Sequence, residues 1–372
     1  MRKTLLAILV VASLGITLAG CSSGGTGAST SPAAGDAALV AKAKARIQPL
    51  EQKPTAFPVT EPLAKLPKGS KIAIIDCGST ICGLFADLAK TPAEKLGMTT
   101  TRIESGTTAD GVASAFDTVL AGNYDGVFVL ALDPALWSKY LTKLNAAHIP
   151  VVTSGIIGVD PSKVVAAGAG DALSTSSGGI MADWTIARNG STANVVFYNT
   201  PELSFSEKIS SGFTAEMKAL CPKCTVRVVD IPLAQYGSGA PQIVVDDLTA
   251  HPATKTAVFA TGEQTVGLPA ALKVAGISVQ TMLNSPDPSV LKGIQDGTFT
   301  AGIGVDLPVL VWSMIDALAR SITGQQVEKA VKDGDAPRQI LTAANLTGDV
   351  ANGWSGYPDF ADRFQKLWAD AK

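Results

Sequence analysis

Five cysteines carry the first chemistry to weigh. Four fall in two close pairs, Cys77/Cys82 and Cys221/Cys224, and Cys21 stands alone. The run Cys221-Pro222-Lys223-Cys224 has the spacing of a dithiol oxidoreductase, which needs its first thiol at a helix N-terminus to lower the pKa. Here the run follows a helical stretch (207–219) and precedes a strand-like one (225–229), so a surface staple is the better reading. Two local disulfides in an oxidising compartment account for all four thiols. Each closes little chain, so its loop-entropy contribution is small beside that of a long-range bridge. His148 and His251 stand in Ala-His-Ile-Pro and Ala-His-Pro before strands, without matched Cys or acid spacing, and form no metal site. There is no Gly-x-Ser-x-Gly elbow, no phosphate loop and no Gly-x-Gly-x-x-Gly after the first strand. No catalytic residue, metal or cofactor is therefore assigned, and an enzyme is not expected.

The elements that position side chains follow from hydrophobic patterning. Short β-branched or apolar runs occur at Ile72–Ile75, Thr99–Ile103, Gly126–Ala131, Pro150–Thr153, Lys163–Ala167, Ala193–Tyr198, Thr225–Val229, Thr256–Ala260, Ser278–Leu283 and Phe299–Val305. Helical spacing separates most of them, as in Ala109, Val112, Phe116, Val119 and Leu120. Strands alternating with helices predict parallel sheets covered on both faces. Ten strands are too many for one open sheet of this kind, so two α/β domains are expected. A long helical block at 307–323, closed by Gly324, returns the chain to the first domain. In open parallel sheets ligands bind beyond the strands' carboxyl ends. That rule selects the loops at 76–82, 132–137, 154–158, 199–206, 232–239, 262–266, 284–287 and 305–307.

Composition excludes several classes. Lys and Arg number 30 against 32 Asp and Glu, 46% of residues are apolar, and 17% are charged. Disorder needs low hydrophobicity with high net charge, and a nucleic-acid partner normally needs a basic excess. The net charge of −2 offers neither, and no nucleic acid is expected as a partner. Residues 1–20 combine Arg2 and Lys3 with an apolar stretch and small residues, the pattern of a secretory signal. Leu18-Ala19-Gly20-Cys21 resembles the bacterial lipobox, which implies cleavage before Cys21 and a lipid on its sulfur. Residues 22–36 are Gly/Ser/Ala-rich, a flexible tether, followed by a short Ala/Lys helix at 37–49 and a Pro-punctuated extended linker to Lys68. The expected location is outside the cytoplasmic membrane, held there by lipid.

Several motifs occur in a telling order: Lys95-Leu96-Gly97, Tyr124-Asp125-Gly126-Val127, Ala147-His148-Ile149-Pro150-Val151-Val152, and Asp247-Leu248-Thr249-Ala250-His251-Pro252 ahead of Ala257-Val258-Phe259-Ala260. Over residues 70–325 the chain resembles the type I periplasmic solute-binding proteins of the ribose/galactose group, the capture components of ABC importers. The resemblance implies two Rossmann-like α/β domains with parallel sheets, joined by three crossovers that form a hinge, with the ligand cleft between them. It places 70–170 and 306–340 in the N-terminal lobe and 171–305 and 341–372 in the C-terminal lobe. It also implies a monomer that binds a small-molecule solute, closes around it and docks on an ABC permease, or, in the alternative, signals to a membrane receptor.

The sugar-binding positions of that group nearly all differ here. An acid–arginine pair after the fourth strand falls on Gly155-Ile156, beside Ser154. An arginine before a Gly-Phe pair falls on Ile209, and an asparagine falls on Gly262. A strand-closing acid falls on Asn284 or Ser285, a glutamine on Val305, paired aromatics on Cys82-Gly83-Leu84, and a third aromatic near Gln235-Tyr236. Unpaired buried polar groups are costly, so a sugar pocket is rich in polar side chains. Their loss predicts a solute less hydroxylated than a sugar, alicyclic or aromatic in character. By strand order Phe205 and Tyr236 lie in cleft-side loops, and Asn284 either binds ligand, as the resemblance implies, or simply ends a strand. Trp137 either lines the opening or packs at a helix end. Ser79 and Thr80 either donate to ligand or cap a helix. Asp133 and Asp306 accept a ligand hydroxyl or cap the helices they precede.

Overall fold

The structure is a computed structural model that describes residues 32–351 and 353–372. The signal at 1–20, Cys21 and most of the expected tether lie outside the described residues.

Five parallel strands build the first sheet: β1 (Lys71–Asp76), β2 (Thr99–Glu104), β3 (Gly126–Leu130), β4 (Val151–Ser154) and β5 (Ala166–Gly168), in the order β2-β1-β3-β4-β5. Helices α2 (Thr80–Lys95), α3 (Ala109–Ala121) and α4 (Pro134–Ala146) connect them. Strand β1 over Ile72–Ile75 and strand β3 are continuously apolar because both their faces are covered, whereas edge strand β2 is largely polar and exposed. The second lobe opens with α5 (Asp171–Asn189), β6 (Asn194–Asn199), α6 (Ser204–Leu220), β7 (Thr225–Asp230), α7 (Ala240–Ala250) and β8 (Thr256–Phe259). It continues through α8 (Leu268–Ala275), β9 (Gln280–Asn284), α9 (Pro288–Gln295) and β10 (Ala301–Val305). The chain then runs through α10 (Leu307–Ile322), α11 (Lys329–Lys332), β11 (Arg338–Leu341) and α12 (Phe360–Trp368). The second sheet has the order β11-β10-β9-β8-β6-β7, all parallel except β11, which pairs antiparallel with β10. The expected fold class, two mostly parallel α/β domains, is the observed one.

The crossings orient the lobes. Only Ala169–Gly170 separate β5 from α5, and only Asp306 separates β10 from α10, which packs on β3, β4 and β5. Residues this few span about 3.3–3.6 Å each, so the two sheets must meet at their carboxyl ends. The return pass at 333–337 is equally close: a Cβ on Gly334 would lie 1.9 Å from the Ala167 carbonyl oxygen. Gly334 also has φ +71°, so two independent constraints demand glycine there.

Two further passes join the three expected crossovers. The short helix expected at 37–49 is present as α1 (Pro32–Ile47), which begins inside the stretch expected to be a flexible tether, and the Pro-rich stretch after it is packed rather than a free linker. Ala43 and Ile47 of α1 are buried, and the helix packs on α5 and α6 of the C-terminal lobe. The chain then crosses to the N-terminal lobe, where Val59 and Leu63 are buried and Phe57 lies 5.2 Å from the Tyr357 ring and 5.1 Å from that of Phe364. The Pro residues that suggested a linker keep this strand-like pass extended while its apolar side chains complete a core. The lobe assignments also change at the other end. Strand β11, placed by sequence with the N-terminal lobe, belongs to the second sheet. Helix α12, placed with the C-terminal lobe, packs on α10, with Trp368 stacked at 5.7 Å on Trp312.

Helix α1 covers Asp183 of α5, which is 4% exposed, and Oδ1 has no hydrogen-bond partner among the described residues. Oδ2 is 3.7 Å from Arg46, which also pairs with Glu216 of α6. Burial outweighs the favourable Arg46 and Lys42 charges and pushes the Asp183 carboxyl up to about 6. A folded pKa above the unfolded one means the folded chain holds this proton more tightly. The contribution is therefore fully present below the unfolded value of about 4 and is lost as pH rises through about 6. Asp183→Asn should raise the urea midpoint at pH 7 and leave it little changed at pH 4. A difference independent of pH would contradict the assignment.

Candidate functional site

Side chains at the carboxyl ends of the strands surround the space between the lobes. On the N-terminal side, Cys77 and Cys82 are paired within the loop after β1. Asp76 anchors that loop: Oδ1 accepts from Gly78 N at 2.6 Å, and Oδ2 lies 2.5 Å from Arg102 Nε. Ser79 accepts from Cys82 N and so caps α2. The Thr80 side chain lies outside the described residues. Asp133 caps α4 by accepting from Ala135 N at 2.8 Å. Gly155 has φ +68°, and the buried Ser154 hydroxyl has no hydrogen-bond partner among the described residues.

The C-terminal lobe contributes a hydroxyl cluster. Tyr236 OH lies 2.7 Å from Thr200 Oγ1 and 3.4 Å from Thr261 Oγ1, and Gln264 Nε2 donates to Thr200 Oγ1 at 3.1 Å. Burial raises the Tyr236 pKa, so the phenol stays protonated. Ser206 donates to Asn199, which itself donates to Glu207 and Asp230. These polar groups spend their valences on one another. Gln235 and Phe205 are half-buried, Phe205 against the core edge. Asn284 closes β9 at 8% exposed, and its Oδ1 has no hydrogen-bond partner among the described residues. Gly262 is buried against Pro286 and Asp287, so the loops after β8 and β9 abut.

Five expected ligand contacts are corrected. Trp137 is fully buried, stacked 5.4 Å from Phe116, and donates to Leu132 O at 3.4 Å. Ile156 lies in the same core beneath the first sheet. Ile209 is buried where α5 and α6 cross, and Val305 joins the core on the α5 side of the second sheet. In each case the apolar side chain is packed into a core, where burial is favourable. Asp306 is fully buried and bound to no solute-facing group: Oδ1 accepts from Val309 N, and Oδ2 from Ser355 Oγ and Gly356 N. It ties the second crossing to the last one, and its pKa is raised by burial.

The histidines sit at the opposite, amino ends of the strands. His251 Nδ1 lies 2.9 Å from Asp247 O, and His148 is exposed with φ 57°. Cys221 and Cys224 are paired between α6 and β7, with Cys224 Sγ accepting from Ala193 N at 3.2 Å. Sequence reasoning missed Arg338. It opens β11, and because β11 is antiparallel its first residue lies beside the last residue of β10, at the interlobe end. Its side chain is 14% exposed, and Nη1 donates to Ser176 Oγ of α5 at 2.7 Å. A Pro-Arg-Gln opening hides a short edge strand, so only pairing with β10 reveals it.

Comparison with known proteins gives a consistent result. Residues 78–326 match the family described as "Periplasmic binding protein domain". No curated protein sequence matches the chain. Among solved structures, an ABC transporter solute-binding protein from Agrobacterium vitis with bound allitol is 18% identical, at TM-score 0.63 over 75% of this chain and 97% of its own. An ABC sugar transporter subunit from Rhodobacter sphaeroides 2.4.1 is 19% identical, at TM-score 0.64 over 75% and 99%. An ABC transporter solute-binding protein from Mycobacterium smegmatis with bound glycerol is 17% identical, at TM-score 0.60 over 75% and 96%. At these identities the likeness concerns the fold.

Proposed function

The chain belongs to the periplasmic binding protein domain family, whose members bind rather than transform, and on that premise we propose that it captures a small solute between its lobes and delivers it to an ABC permease. The observation that carries this reading is the meeting of both sheets at their carboxyl ends across crossings of one to five residues. Ligand touching both lobes favours the closed arrangement by its differential affinity, and the closed face is what a permease would recognise. A lipid on Cys21 would hold the protein outside the membrane, with both cysteine pairs oxidised there.

The solute is less hydroxylated than a typical sugar. The hydroxyls of Thr200, Tyr236 and Thr261 are bonded among themselves, and Ile156, Ile209 and Val305 supply core instead of polar contacts. Allitol and glycerol occupy two relatives of this fold, so polyols belong in the trial. A thermal-shift panel on the full chain in detergent should include sugars, polyols, cyclic carboxylates, aromatics and nucleosides. A ligand at 100 times its Kd adds about 2.7 kcal/mol of stability, a clear rise in Tm. A rise with pentoses or hexoses alone would reject the solute class, and no rise with any compound would reject solute capture.

A further inference from the structure

We propose that Arg338 is the anchor for a carboxylate carried by the captured solute, held at the hinge end of the interlobe space. The proposal rests on the solute-binding reading and specifies its ligand.

Arg338 and Val305 stand opposite each other in the β10–β11 ladder, and opposite residues share a face of the sheet. The guanidinium therefore lies beside the carboxyl end of β10, directed to α5, where Ser176 accepts its Nη1. A guanidinium has five N–H donors. Here one is spent on a neutral hydroxyl, and the nearest carboxylate, Asp335, is 3.7 Å from Nη2 and is itself 64% exposed. Such an exposed, distant pair compensates little of the cost of burying a cation.

The other acids near the crossings are already committed. Asp306 accepts from Val309, Ser355 and Gly356, and Asp171 accepts from Gly158 N and pairs with Lys208 at 2.9 Å. Burial pulls the Arg338 pKa below its ordinary value, the mark of a cation short of a counter-charge. Among the described residues Nε and Nη2 have no hydrogen-bond acceptor, and together they form one of the guanidinium edges that can take both oxygens of a carboxylate. A neutral solute would leave them unpaired when the lobes close over it.

Calorimetry with matched pairs tests this: cyclohexanecarboxylate against cyclohexanecarboxamide, and benzoate against benzamide, with glycerol and an aldohexose as neutral controls. The acids should bind, with the amides roughly 10–100-fold weaker, the range for hydrogen bonds to a charged group. Arg338→Gln should remove that preference, and Arg338→Lys should retain part of it through charge without the paired geometry. The acid–amide comparison on the unaltered chain needs no variant, so a folding defect in Arg338→Gln does not blunt the test. Equal affinity for acid and amide, or acid binding unchanged in Arg338→Gln, would overturn the proposal. A neutral solute bound tightly and indifferent to Arg338→Gln would overturn it while leaving solute capture intact. Binding of none of these compounds would overturn both.

Discussion

Asp316→Ala should lower the stability of the chain by about 3–5 kcal/mol, the cost of stranding one member of a buried ion pair. Asp316 and Arg320 lie one turn apart on α10, each 1% exposed, with Arg320 Nε 2.5 Å from Asp316 Oδ2. Their pairing draws in two distant segments. Trp368 of α12 donates Nε1 to Asp316 Oδ1 at 2.8 Å, and Arg320 Nη2 donates to the Glu61 carbonyl at 2.6 Å. One network thus holds the amino-terminal pass and the carboxyl-terminal helix against the N-terminal lobe. Burial raises the Asp316 pKa, and Arg320 and Trp368 oppose it. Without Asp316, Arg320 keeps a desolvated charge with only the Glu61 carbonyl as partner among the described residues, because Nη1 has none there even in the intact network. Urea unfolding would read the loss. Asp316→Leu combined with Arg320→Met should recover much of it, since apolar replacement of both partners removes the stranded charge. A loss under 1 kcal/mol for Asp316→Ala would show that the site admits water.

Some elements were legible in the sequence because one local signal decided them. Runs such as Ile72–Ile75 and Val127–Leu130 are apolar on both faces, which only a covered parallel strand requires. Asp133-Pro134 and Asp306-Leu307-Pro308 read as helix starts, and both acids cap the helix that follows. Other features were hidden because they depend on contacts distant in sequence. Trp137 looks the same whether it faces a ligand or Phe116 of the preceding helix. Helix α12 has a strongly one-sided apolar face formed by Phe360, Phe364 and Trp368, but nothing local says that Trp312 is its partner. Arg338 could not be placed until β11 was seen to run against β10.

The departures at Ile156, Ile209 and Val305 carry two meanings that sequence alone could not separate. They were read as a less polar pocket, and the structure shows these side chains filling cores. On the proposed reading the pocket is poor in free polar groups because these side chains fill cores and the Thr200, Tyr236 and Thr261 hydroxyls bond to each other, while the Ser154 hydroxyl and Asn284 Oδ1 have no partner among the described residues. On that reading a cationic group such as Arg338 matters more for orienting the solute than it would among many competing donors.

Two adjacent glycines of α5 should respond with opposite signs to the same substitution. In a helix interior Gly→Ala gains about 1 kcal/mol from backbone entropy alone. At Gly179 nothing lies within 4 Å of an added Cβ, so Gly179→Ala should stabilise by up to about that amount. At Gly178 the new methyl would lie 2.1 Å from the Ile209 carbonyl oxygen and 2.6 Å from Phe213 N, both rigid backbone of α6. Gly212 of α6 meets Thr175 O at 2.3 Å in the same way, so the two helices cross through glycine on each side. Relief requires α6 to retreat by more than an ångström, loosening Ile209, Phe213 and Met217, all of them buried. Overpacking of this kind costs about 1–3 kcal/mol, and more when backbone must move. It therefore exceeds the propensity gain, and Gly178→Ala should destabilise by about 1–2 kcal/mol net. Urea midpoints of the two variants measured side by side decide the matter. If Gly178→Ala matched Gly179→Ala, the helices would not be in backbone contact, and Ile209 would be free to turn toward the solute.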